Sequence, residues 1–185
     1  MKTITEFDHK KATQTLNFFA IRNKGSIDKL RVLKLIWLSD RYHLRRYGRP
    51  IFNDVYFAMP YGPVASSAKD LTEDPEFLAE GERNYLREFL KCDVKNHKII
   101  SIKSLDDDVF SDSDLEAMEV INKEYGGYST HSLVILSHDY PEWKRFEVAL
   151  KSGSSTRENM TYGDFFKNQR RARGRYFRGI HRSGR

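Results

Sequence analysis

Asp40 and His43 stand three residues apart inside a stretch of helical periodicity, so their side chains share one helix face. His138 and Asp139 lie far downstream, where a fold can return them to the same place. A carboxylate with two imidazoles can hold a metal or pass a proton. Sites of that kind are usually announced by tight pairs such as HExxH or HxH, and none is present. The preferred reading is structural: Asp40 and His43 anchor buried hydrogen bonds between a central helix and the C-terminal helices. Cys92 is the only cysteine, so one chain builds neither a disulfide framework nor a thiolate zinc site. Lys91 is its one basic neighbour, and no histidine adjoins it as a base. The phosphate loops GxxxxGK[ST] and GxGxxG are missing, and Gly153-Ser154-Ser155 lacks the second glycine of a nucleophile elbow. The chain reads as non-enzymatic, with no cofactor and no metal expected.

Three other constellations fit binding better than catalysis. Tyr42, Arg45, Arg46, Tyr47 and Arg49 form an aromatic–basic cluster suited to an acidic partner or nucleic acid. The competing reading is a helix end whose cations simply match the macrodipole. Tyr61-Gly62-Pro63 is a rigid turn that either presents a ligand contact or only joins a strand to a helix. Finally, residues 167–185 hold eight of the 32 Lys+Arg and no acid, with Arg173, Arg175, Tyr176 and Phe177 interleaving charge and rings. Removing them leaves 24 basic against 26 acidic residues, so the formal charge moves from +6 to −2. The basicity belongs to a tail. Such a tail fits nucleic acid through phosphate forks and stacking, an acidic protein surface, or plain solvation.

These residues must be positioned by a mostly helical domain. Leu30, Leu33, Ile36, Trp37 and Leu44 recur at helical spacing, and Val32, Leu35 and Leu38 widen the stripe until it wraps the helix. A helix over 26–47, capped by Ser26, is therefore predicted at the centre of the fold. Gly48 suits the left-handed stop and Pro50 prevents continuation. Around it the patterns predict helices near 8–22, 63–71, 75–90, 113–125, 130–136 and 139–150. A short strand is predicted over 55–59, with a hairpin of 92–94 against 99–102. The polar run KSGSSTREN over 151–159 marks the end of the compact core, with a last helical turn near 160–166. The expected class is α+β: a single mostly helical domain over 1–150, then 151–185 as linker, short helix and basic tail. Aromatics at 13% and hydrophobics at 39% support a folded chain. No apolar run nears the ~20 residues of a membrane helix, and the first residues hold no secretory apolar core. The expected location is cytoplasmic, with no membrane partner.

The chain resembles the Panacea domain, the SocA-like antitoxin family, over 13–150. The matching residues are Lys34-Leu35-Ile36 with Leu38 and Asp40; the run from His43 through Gly48 and Pro50 to Ile51; and Ala58 with Tyr61-Gly62-Pro63-Val64. A second block carries Ser113-Asp114-Leu115, Tyr125-Gly126, Leu136-Ser137-His138, Pro141 and Trp143. Ala65 stands where the family more often has proline. The resemblance implies an antitoxin of a bacterial or prophage toxin–antitoxin pair, whose partner is a cognate toxin neutralised by direct contact. In the SocA branch it implies instead an adaptor delivering the toxin to a protease. A nucleic-acid-binding protein of a mobile element, acting through the tail, is the competing class.

Overall fold

The computed structural model describes residues 6–73 and 78–167. Helix α1 (His9–Arg22) is capped by the Asp8 carboxylate, which accepts from Lys11 N. Strand β1 (Ser26–Asp28) leads into α2 (Lys29–Tyr47), the central element. Every residue from Val32 to Arg41 is buried, on all sides of the helix, because α1, α3, α5, α6 and strand β3 surround it. The all-round apolar pattern predicted this placement. Gly48 ends the helix at φ 77°, with its N–H donating to the Leu44 carbonyl.

Strands β2 (Tyr56–Met59) and β3 (Gly62–Ala65) form a tight antiparallel hairpin, followed by α3 (Ser66–Glu73). Helix α4 (Glu80–Phe89) feeds β4 (Leu90–Asp93), which pairs with β5 (Lys98–Ser101). A 3₁₀ turn over Asp107–Val109 precedes α5 (Asp112–Tyr125), whose capping box joins Ser111 and Asp114. Helices α6 (Thr130–His138), α7 (Pro141–Lys144) and α8 (Glu147–Ser152) follow, then β6 (Glu158–Met160) and a 3₁₀ helix over Tyr162–Phe166. The sheets have orders β1-β5-β4 and β3-β2-β6. This is the expected α+β domain, mostly helical around one buried helix. Among the described residues no helix is long and apolar enough to cross a membrane.

Four local expectations are corrected. Ser26 does not cap α2: it pairs with Ile100 in a strand, and Asp28 caps the helix by accepting from Arg31 N. Pro63 opens no helix. It lies in β3, an edge strand, where a residue without an N–H is tolerated. The helix after it starts at Ser66 because the distant Asp54 carboxylate accepts from Ser67 N and Ala68 N, each at 2.8 Å. The segment predicted as one helix over 139–150 breaks into α7 and α8. Lastly, the packed core does not end at Leu150. Strand β6 pairs with β2, Phe165 is fully buried against Tyr56, and Arg145 holds Asp164 at 2.6 Å. A three-residue polar edge strand leaves no hydrophobic period, so its sequence looked like linker. The first residues of the helix predicted over 75–90 lie outside the described residues.

Candidate functional site

The arginines at the basic end of α2 have acceptors within the chain while remaining exposed. Arg45 donates to the Phe165 carbonyl at 2.6 Å. Arg46 lies 3.4 Å from Glu116, whose other oxygen accepts from the Tyr47 hydroxyl at 2.7 Å. Arg49 reaches Ser111 Oγ at 2.8 Å and Asp114 at 2.9 Å. Tyr42 is half-buried, while Tyr47 keeps 38% of its surface. Arg173, Arg175, Tyr176 and Phe177 lie outside the described residues.

Asp114 is the node of this region. Its buried carboxylate accepts from Lys11 Nζ at 2.7 Å and pairs with Arg49 at 2.9 Å, and His43 Nε2 lies 3.2 Å from it. Burial pushes its pKa up, but the Lys11 and Ser111 hydrogen bonds and the Lys11 and Arg49 charges outweigh that and hold it below the ordinary range. His43 Nδ1 lies 2.7 Å from the Arg49 carbonyl, so that nitrogen carries the proton, and Nε2 sits 2.9 Å from Ser113 Oγ. Burial lowers the His43 pKa, favouring the neutral ring. His43 thus joins α2 to the start of α5.

Asp40 is fully buried and ties α2 to the chain entering β2. It accepts from Ile51 N, and from the Tyr56 hydroxyl at 2.9 Å. Desolvation dominates its titration, raising its pKa to about 7 against the opposing Ile51 and Tyr56 hydrogen bonds. Its anchor is the 51–56 segment and not the C-terminal helices. His138 is elsewhere: its ring stacks on Trp143 at 3.8 Å and is hydrogen-bonded to the Pro60 backbone. Among the described residues no three His, Cys, Asp or Glu are placed to share a metal ion. Cys92 is partly buried, and desolvation pushes its thiol up to about 11, away from nucleophilic use.

The Tyr61-Gly62-Pro63 turn has the least ordinary surroundings. Gly62 adopts φ +97°, and a Cβ there would meet Ser137 Oγ at 2.1 Å and Lys34 Nζ at 3.2 Å, so only glycine fits. Lys34 is fully buried, and its amine donates to the Pro63 carbonyl at 2.6 Å. Among the described residues it has no carboxylate partner, and desolvation lowers its pKa to about 7. Trp143, also buried, donates its indole N–H to the Met59 carbonyl at 2.8 Å, fixing the other side of the turn. Tyr61 projects outward with 67% of its surface exposed.

The buried amine has a measurable consequence. The unfolded chain takes up a proton at the ordinary lysine value, while the folded chain resists until about 7. Stability present at alkaline pH is therefore lost as pH falls through that window. Lys34→Met should abolish this decline in denaturation measured from alkaline to neutral pH. An identical slope in the variant would contradict it.

Sequence reasoning gave no individual role to Lys34 or Asp54, and to Asp114 only a place in a Ser111-x-x-Asp114 capping box. One signal was readable: Lys34 is a charge on the inward side of a helix that is apolar all round. Asp54 and Asp114 act on distant chain segments, which local spacing does not reveal. A groove of about 430 Å³ between Tyr85, Phe89 and Asp106–Asp108 contains none of the sequence-predicted site residues.

The family model for the SocA-like antitoxin, Panacea domain, matches residues 32–144, more than half of the chain. No curated protein and no solved structure gives a significant match.

Proposed function

Because the chain belongs to the Panacea-domain family of SocA-like antitoxins, we propose that it is the antitoxin of a bacterial or prophage toxin–antitoxin pair and neutralises its cognate toxin by direct protein–protein contact. The observation that carries this reading is the extent of the family match: it runs from inside α2 to the end of α7, more than half of the chain. The bonding supports it. Asp40 and His43, which had the chemistry for acid–base work, are both committed to joining chain segments. Neutralisation then requires covering the toxin's working surface, with a few aromatic and arginine anchors carrying most of the energy. Tyr42, Arg45, Arg46, Tyr47, Arg49 and Tyr61 are the proposed contact residues.

The test is co-expression with the product of the adjacent gene. Growth should be restored and the two proteins should co-purify. A neighbour that is harmless, or toxic regardless of this chain, defeats the reading. Loss of toxin from the cell only when a protease is present would favour the SocA-like delivery route.

The basic tail separates partner classes. Truncation after Phe166 should leave the thermal unfolding midpoint nearly unchanged, because Phe165 is the last buried side chain among the described residues and Lys167 makes a surface pair with Asp164. If the tail steers an acidic toxin, its loss slows association and flattens the salt dependence of binding. If it binds RNA or DNA, that binding disappears while neutralisation survives. Unfolding of the truncated chain contradicts both.

A further inference from the structure

Two basic features that lie 120 positions apart in the chain meet at residues 164–167. Arg45, at the exposed end of α2, donates to the Phe165 carbonyl at 2.6 Å. Asp164, one residue earlier, is held by Arg145 at 2.6 Å and by Lys167 at 2.8 Å. The described chain therefore ends beside the arginines of α2, and the basic tail continues from that point.

Charge at this end is not balanced. Asp114 is shared by Lys11 and Arg49, Asp164 by Arg145 and Lys167, and Glu116 faces Arg46. Arg45 has a backbone carbonyl as its acceptor and, among the described residues, pairs with no carboxylate. Six cations thus stand against three carboxylates. Residues 168–185, outside the described residues, add seven arginines, no lysine and no acid. Exposed rings stand among these cations. Phe166 keeps 50% of its surface, and Tyr47 lies beneath the Arg46 guanidinium, 5.5 Å from it.

We propose that the end of α2 and residues 164–185 form one surface for single-stranded nucleic acid, with the guanidiniums on the phosphodiester backbone and Phe166 and Tyr47 as stacking platforms for bases. Arginine in place of lysine suits this ligand, because its planar fork matches a phosphate with two hydrogen bonds. The rings choose between polyanions. An acidic protein patch would satisfy the charge and leave them without a stacking partner. A duplex keeps its bases stacked within itself, whereas a single strand offers them. The surface does not depend on the antitoxin reading; where both hold, toxin and strand compete for Arg45, Arg46 and Tyr47.

The experiment is fluorescence anisotropy of a labelled oligouridine of about 20 nucleotides, and of its deoxy counterpart, titrated with the 185-residue chain across a salt series. Both strands should bind, with log K falling linearly as log salt rises. Arg45→Gln combined with Arg46→Gln should flatten that slope by about 1.4, the share of two phosphate contacts on a single strand. Phe166→Ala should weaken binding about tenfold, the scale of one lost stacked base. If the double variant does not fold, Arg46→Gln alone, at a side chain 54% exposed, should flatten the slope by about 0.7. Wild-type affinity and slope in the folded arginine variant would overturn the joint surface and leave the tail to act alone. Polyglutamate bound as tightly as the RNA would overturn the nucleic-acid assignment in favour of an acidic protein. Absence of binding to either strand at low salt would overturn the whole proposal, and neutralisation, measured separately, would be untouched by it.

Discussion

Trp37→Ala should lower the unfolding free energy by about 3–5 kcal/mol, the usual cost of emptying a large buried aromatic site. Trp37 is fully buried at the middle of α2 and meets Tyr140 edge-on at 4.9 Å. Helices on several sides are held by packing against α2, so the void cannot close by moving one neighbour. The Trp37 indole N–H has no acceptor among the described residues, so its contribution is packing rather than hydrogen bonding. Trp37→Phe should therefore keep most of the stability. Leu33→Ala, at 2% exposure, belongs to the same core and should cost about 2–5 kcal/mol. Two-state chemical denaturation is the measurement. Losses under about 1 kcal/mol for both alanine variants would place the core elsewhere.

Asp114→Ala should be the most damaging polar change. Removing one side of a buried charge cluster costs about 3–5 kcal/mol, because the remaining charges lose their partner. The figure for this site should fall near the lower end, since Arg49 keeps 44% of its side chain exposed and Lys11 18%. The variant also removes the capping box of α5, and His43 loses its charged neighbour. The pH dependence fixes the sign. Asp114 titrates below the ordinary carboxylate range, so its contribution is full above that range and is lost as pH falls through the depressed value. His43 also titrates below its ordinary value, so its contribution is present above the normal imidazole range and likewise declines toward acid. The wild type should lose stability on acidification, and Asp114→Asn should flatten the carboxylate part of that decline. A variant with wild-type stability and an unchanged acid transition would show that the cluster is decorative.

The central helix was legible in the sequence because periodicity reports burial directly: a stripe that wraps the whole helix leaves no face for solvent. The stops at Gly48 and Tyr125-Gly126 were legible for the same local reason, as was the Ser111–Asp114 capping box. What escaped was set by distant partners. Ser26 is a good cap in isolation, yet β5 offers it a strand ladder and passes the cap to Asp28. Pro63 is a good helix opener, yet β2 draws it into an edge strand and Asp54 caps the helix three residues later. The site divides along the same line. Tyr61-Gly62-Pro63 was visible as a turn, but its buried floor of Lys34, Ser137 and His138 comes from α2 and α6, which no local spacing connects. The aromatic–basic helix end was visible as a cluster, but the acceptors that engage its arginines lie in α5 and at Phe165.

The central claim is neutralisation by contact, and its most direct test uses purified components. The 185-residue chain is added to the product of the adjacent gene, in that product's own activity assay, with no protease present. The expected result is saturable inhibition at a fixed stoichiometry, with activity returning when the complex is dissociated. A toxin that stays fully active in the presence of excess chain, or that is silenced only when a protease is added, would contradict it.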